Sequence, residues 1–343
     1  MSAEPVEADG DDEAPRKPRL IVHAALFLAT FLTTTITGAI HRHHGVSVAP
    51  LNDGLIYSIP LMLILLCHEA GHYVVARRYG VDASLPYFIP FPFGPLGTMG
   101  AVIGMRKSAT DRKQLFDVAV AGPLAGLAVA IPVLIIGLLR SKVGPVIQPG
   151  FDGLMEGNSI LYAVVKRVVT GLWLPNSQVD VQLHPMAFAG WAGLLVTMIN
   201  LVPIGQLDGG HIASAYFGNR YNGFAERLRR VLPIMAVSVF FWVLYVVKAE
   251  MGGAWSLSVG AQVAMEASVF WLMWFLLVTF MRRLSDGVNH PPVDERPLPR
   301  SRQALFWVMV VVFVMVFMPV PMRMIPGSHV GKAAPPASAS LTQ

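Results

Sequence analysis

Three side chains within one helical turn can do chemistry together: His68, Glu69 and His72, in the run His68-Glu69-Ala70-Gly71-His72. Residues i and i+4 share a face of a helix, so the two imidazoles can offer nitrogens to a single zinc ion. Glu69 follows His68 directly and can reach a metal-bound water to take its proton as general base. A bare pattern of this kind is common by chance, and the bland reading is a pair of buried histidines and a glutamate satisfied by neighbours. The surroundings decide against it. The motif sits in an apolar run that starts at Leu55, and ionisable groups at membrane depth are costly enough to read as functional.

A second constellation follows at Asn200-Leu201-Val202-Pro203-Ile204-Gly205-Gln206-Leu207-Asp208-Gly209-Gly210-His211. Proline and paired glycines interrupt the apolar helix expected over 186–202, and broken helices at membrane depth are tolerated where they line a cavity or site. Asp208 lies in the break, placed to be a third metal ligand. Asn200 has an amide that could donate to a developing oxyanion. Two histidines and one carboxylate leave a tetrahedral position open, the arrangement of a catalytic rather than a structural zinc.

The elements that must position these residues are membrane helices. The 343 residues are 54% hydrophobic and 14% charged, with mean hydropathy +0.55, whereas a soluble domain is about a quarter charged. Apolar runs at 20–40, 54–76, 114–139, 186–202, 232–247, 259–281 and 304–320 give an all-α polytopic membrane protein of six to seven spans. Between the second and third, residues 81–110 are apolar but broken by four prolines and four glycines. That stretch reads as a membrane-inserted β-hairpin or re-entrant segment beside the motif helix. The third span carries Ala121-Gly122-Pro123-Leu124-Ala125-Gly126, a small-residue face for close helix packing, with Pro123 as a kink. Residues 160–172 read as an amphipathic helix bearing Lys166 and Arg167. Glu266 is expected to make a helix-packing hydrogen bond.

The chain divides into a disordered cytoplasmic tail at 1–19, a membrane domain at 20–325 with its catalytic core at 54–212, and a disordered tail at 326–343. The His41–His44 cluster reads as a solvated loop. A single cysteine, Cys67, excludes an intrachain disulfide and a cysteine zinc cage. The net charge of +5 carries no basic patch with interleaved aromatics, which argues against nucleic acid. With the N-terminus in the cytoplasm, eighteen of the 26 lysines and arginines fall on that side, as the positive-inside rule asks. Both motifs then lie towards the cytoplasmic end of spans that run inwards, in what reads as a bacterial plasma membrane.

HEAGH, Gly97-Thr98-Met99-Gly100-Ala101, AGPLAG and NLVPIGQLDGGH together resemble the site-2 protease family of intramembrane zinc metalloproteases, over residues 56–212. The resemblance implies one zinc held by His68, His72 and Asp208, with Glu69 as catalytic base and Asn200 near the reacting carbonyl. It implies a transmembrane protein as substrate, within the lipid bilayer, received as an added strand along Gly97, Gly100, Ala101 and Val102. Residues 184–195 and His290-Pro291-Pro292 look most like the compact branch without a PDZ domain. The alternatives are another membrane zincin, which takes its third ligand from a glutamate, and a transporter using the same His/Asp set.

Overall fold

In this computed structural model the described residues are 20–42, 51–104, 111–145, 153–176, 178–251, 256–284, 294 and 296–325. Both tails, His43, His44 and His290-Pro291-Pro292 lie outside them. Hydrophobic runs fold as α1 (Leu20–Arg42), α2 (Leu51–Arg78), α3 (Arg112–Leu139), α4 (Ile160–Thr170), α5 (Pro185–Asn200), α6 (Asp208–Phe217), α7 (Tyr221–Arg229), α8 (Val231–Met251), α9 (Leu257–Leu284) and α10 (Arg300–Val316). Among the described residues five helices are long and apolar enough to cross a membrane: α1, α2, α3, the stretch ending in α8, and α9. Two of the expected spans are short. α5 has 16 residues and α10 has 17, where a straight crossing takes about 20.

α3 starts sharply because the Asp111 carboxylate accepts from the backbone N–H groups of Lys113 and Gln114. It packs between α2 and α5. Glycine makes that contact close: a Cβ on Gly71 would stand 2.5 Å from the Ala121 carbonyl oxygen. α5 opens on Pro185, a residue suited to a first helical turn, and stops at Asn200. Its break contains Pro203 and Gly205, the latter at φ +65°, and α6 then begins with Asp208 itself.

Between α2 and α3, β1 (Tyr87–Pro90) and β2 (Thr98–Val102) form the expected hairpin, antiparallel with Tyr87 opposite Val102. It lies along α1. His23 meets the Pro86 carbonyl at one end. At the other, Thr33 donates to the Gly97 carbonyl at 2.7 Å and Tyr57 of α2 to the Leu96 carbonyl at 3.0 Å. His23 and Thr33 are ten residues apart, so the hairpin follows α1 for about 15 Å. Gly97 is at φ +76° with no room for a Cβ against Thr33, Thr34 and Thr37. Its close approach is therefore to α1.

At the far end of α3 an outer layer forms from β3 (Lys142–Pro145) with β5 (Val179–Gln182), β4 (Gly153–Glu156) with β6 (Met322–Ile325), and α4. β6 follows α10 and pairs with β4, whereas Arg302 at the start of α10 reaches Asp117 near the start of α3. α10 therefore runs from one end of the bundle to the other. Lys166 departs from expectation: it is fully buried with Tyr162, and the exposed face of α4 is Ile160, Val164 and Val168. Glu266 also departs. It is exposed and accepts from Gln262, one turn earlier in the same helix.

The outer layer holds a cluster of ionisable groups. Tyr162 donates to Glu156 at 3.0 Å, and the Lys166 amine lies 4.4 Å from the Tyr162 ring centre. Burial pushes Glu156 up to about 7, and pushes Lys166 down, opposed by the charges of Glu156 and Asp180. A raised carboxyl stabilises the fold fully below its ordinary value near 4.5 and loses that contribution as pH rises through about 7. Lys166 works in the opposite sense, losing its contribution as pH falls through its lowered value. Amide exchange in β4 and β6, corrected for intrinsic rate, is expected to quicken between about pH 5.5 and about pH 8. Glu156→Gln should flatten that change, and a variant with the native slope would clear this carboxyl of the effect.

Candidate metal centre

Helical spacing puts His68 and His72 on one face of α2, and both are buried. Their Nε2 atoms are 3.2 Å apart. The Oδ2 atom of Asp208, the first residue of α6, lies 3.2 Å from each. A tetrahedral zinc with ligands at about 2.0–2.1 Å holds them about 3.3–3.4 Å apart, so this triangle is within tenths of an ångström of a zinc face. These three are the described His, Cys, Asp and Glu residues grouped closely enough to share a metal ion. One expectation is refined: Asp208 is not in the break but at the N-terminus of the helix that follows it.

α3 shapes the histidines from behind. His72 Nδ1 stands 2.8 Å from the Val118 carbonyl, which can only accept, so Nδ1 carries the proton and Nε2 presents its lone pair to the centre. The next turn of α3 is Gly122, where a Cβ would stand 2.0 Å from His72 Nε2. One turn on is Gly126, where a Cβ would press His68 at 3.2 Å from Nδ1. AGPLAG thus sets two glycines at i and i+4 against two histidines at i and i+4. Pro123 leaves the Ala119 carbonyl without its helical donor, loosening α3 at the turn that meets His72.

Glu69 is 4% exposed and close enough to His72 and Asp208 to feel both charges. Asn200, ending α5, places Nδ2 3.3 Å from His68 Nε2. In the hairpin, Ala101 packs against the main core, Val102 is 52% exposed, and Gly100 adopts φ +100° with open space where a side chain would be. Sequence reasoning did not single out Val118, Thr33 or Tyr57. Val118 acts through its carbonyl, and no side-chain type could have flagged it. Gly122 and Gly126 were visible as a packing face, but not as the mate of the histidines.

Gly122 lies ten residues into α3, so the centre is about 15 Å from that helix's start and about 25 Å from its end. The near end is basic, with Arg77, Arg78, Arg112, Lys113, Arg229 and Arg230. The purified chain is expected to hold about one zinc per molecule, and His72→Ala to lose most of it. Full zinc in that variant, measured by elemental analysis, would remove His72 from the centre.

Comparison with known proteins agrees with this geometry. A family model described as peptidase family M50 matches residues 56–245. The chain is 31% identical over 209 residues to "Probable zinc metalloprotease EGY2, chloroplastic" of Arabidopsis thaliana, covering 59% of this chain and 36% of that protein. It is 37% identical over 164 residues to "Probable zinc metalloprotease EGY1, chloroplastic" of Oryza sativa subsp. japonica, covering 46% and 27%. It is 30% identical over 314 residues to "Probable zinc metalloprotease EGY3, chloroplastic" of Oryza sativa subsp. indica, covering 86% and 47%. The chain thus spans less than half the length of each of these relatives. No solved structure matches it significantly.

Proposed function

The chain belongs to peptidase family M50, and from that premise we propose that it is an intramembrane zinc metalloprotease cutting a membrane-spanning segment of another protein. The observation that carries this reading is the three-donor triangle of His68, His72 and Asp208 with Glu69 buried beside it. It is set inside apolar helices, where such groups are too costly to keep without use. The catalytic core is residues 54–212, within a membrane domain at 20–325.

His68 Nε2, His72 Nε2 and Asp208 Oδ2 would hold the zinc, and the Val118 carbonyl keeps His72 in the ligating tautomer. When bound, zinc would acidify a water and polarise a peptide carbonyl at the position the three donors leave open. Glu69 takes the proton of the attacking water and passes it to the departing amine. The Asn200 amide donates towards the carbonyl oxygen as negative charge gathers there. A helical substrate hides its peptide bonds and must unwind first. Pairing with the edge of β2 at Gly100, Ala101 and Val102 would offset part of that cost.

Two other readings fit less well. A membrane zincin with a glutamate as third ligand is disfavoured by Asp208, which closes the triangle. A transporter has no use for Glu69 beside the ligands. The protein is multi-pass. The names of the relatives place them in chloroplasts, which does not bear out a bacterial plasma membrane, so the proposal for its location is an orientation. The basic, metal-bearing end faces the cytoplasm or its counterpart in an organelle, and the N-terminus lies on that side. The test is a comparison of membrane-protein fragments between cells carrying the native chain and cells carrying Glu69→Gln. Cut transmembrane segments should vanish with the variant and their precursors accumulate. Identical fragment patterns would overturn the reading.

A further inference from the structure

α10 lies beyond residues 56–245, the stretch that the family model matches, yet its first turn reaches the back of the metal centre. Arg302 grips Asp117 of α3 at two points, Nε to Oδ1 at 3.0 Å and Nη2 to Oδ2 at 3.0 Å. Tyr79, just past the end of α2, donates to the same carboxylate at 2.6 Å. The residue after Asp117 is Val118, whose carbonyl receives the His72 Nδ1 proton. The Val118 side chain packs with Ala76 and Ala83 in a small cluster that joins the last turns of α2 to the start of the hairpin segment. Asp117 therefore ties the tail of the histidine helix, the helix carrying the acceptor for His72, and the start of α10.

The same end of α10 braces the third ligand. Phe306 stacks on Tyr216 of α6 with ring centres 3.8 Å apart. Arg112, in the first turn of α3, donates to the last carbonyls of α6, Ala215 at 2.7 Å and Tyr216 at 2.6 Å. It also contacts Asp294 and the Arg296 carbonyl in the segment leading into α10. The pair is half-buried, with the Arg302 side chain 35% and the Asp117 side chain 13% exposed. A two-point guanidinium–carboxylate contact does fix geometry, because both planar groups must lie in register.

We propose that Arg302 and Asp117 are positioning residues for the metal centre: their paired contact sets the rotation of α3, and so aims the Val118 carbonyl at His72 Nδ1. The inference rests on the reading of His68, His72 and Asp208 as zinc ligands. Outer partners of metal-ligating histidines affect affinity by about 10–100-fold. Arg302 acts one step further out, through a carbonyl, so a loss of about tenfold is expected.

The test uses the full chain in detergent or lipid, stripped and reloaded with zinc for affinity and with cobalt for the visible absorption of the metal. Native chain that takes up neither metal defeats the zinc reading itself, before any variant is considered. Given native binding, Arg302→Ala and Asp117→Asn should each weaken zinc by about tenfold and shift the cobalt bands. The double variant should be no worse than either single one, as for two members of one contact. Met309→Ala serves as a control, since Met309 is buried in α10 away from the pair. It should lower the unfolding temperature while leaving the cobalt spectrum as in the native chain. Native affinity and spectrum in both single variants would overturn the proposal. So would additive losses in the double variant, or a Met309→Ala spectrum shifted as far as that of Arg302→Ala.

Discussion

Glu69→Gln is expected to bind zinc as the native chain does and to cleave a model transmembrane substrate about three to four orders of magnitude more slowly. The two halves of that result come from different atoms. The three donors that would hold the metal do not include Glu69, and they lie 3.2 Å from one another. Glutamine keeps the volume and polarity of glutamate in a place that is 4% exposed, so the packing of α2 against α3 has no reason to change. It cannot accept a proton from water at working pH, and the step that needs a base is left without one. Single-turnover cleavage in detergent, with zinc measured on the same sample, separates the halves. Cleavage near the native rate would rule out Glu69 as the base. Loss of zinc together with activity would make Glu69 a ligand or a packing residue instead.

Gly122→Ala is expected to have the second-largest effect, although it adds only one methyl group. That methyl would stand 2.0 Å from His72 Nε2. Something must move: the imidazole away from Asp208, or α3 away from α2. Overpacking a tight contact costs about 1–3 kcal/mol, and displacing one ligand of three should lower zinc affinity by on the order of a hundredfold or more. Gly223→Ala is the matching control, because a Cβ there would meet nothing within 4 Å, and alanine favours a helix over glycine by about 1 kcal/mol. Zinc content and unfolding temperature of the two variants should diverge sharply. If Gly122→Ala keeps its zinc, the histidines are not held against α3 as described.

The donor set was legible in the sequence because its information is local. His68 and His72 declare themselves by helical spacing, and Asp208 by the proline and glycines that stop α5 before it. The hairpin was legible for a similar reason: closely spaced prolines and glycines forbid a helix whatever lies around them. What could not be read is what depends on distant parts of the chain meeting. Lys166 has the look of a solvated residue on a short amphipathic helix, and it is buried in a helix that packs against α3 and α10. Gly97 looked like room for an incoming backbone, but α1 occupies that room. Asp117 and Arg302 are 185 residues apart, and nothing in the type or spacing of either marks it as the other's partner.

The pairing of β4 with β6 also bears on the order in which the molecule can assemble. About 170 residues separate the two strands, with α4 to α10 between them. Contacts so distant along the chain form late and slowly, because a long loop must close before they give any return. α2, α3, α5 and α6 emerge within one stretch and can bring His68, His72 and Asp208 together before α8 exists. The seam between β4 and β6 cannot form until α10 has crossed, and neither can the grip of Arg302 on Asp117. A nascent chain would thus pass through an interval with its donor triangle assembled but its outer seam open. The last helix closes both ends of the bundle in one event, which makes insertion of α10 the step that commits the fold.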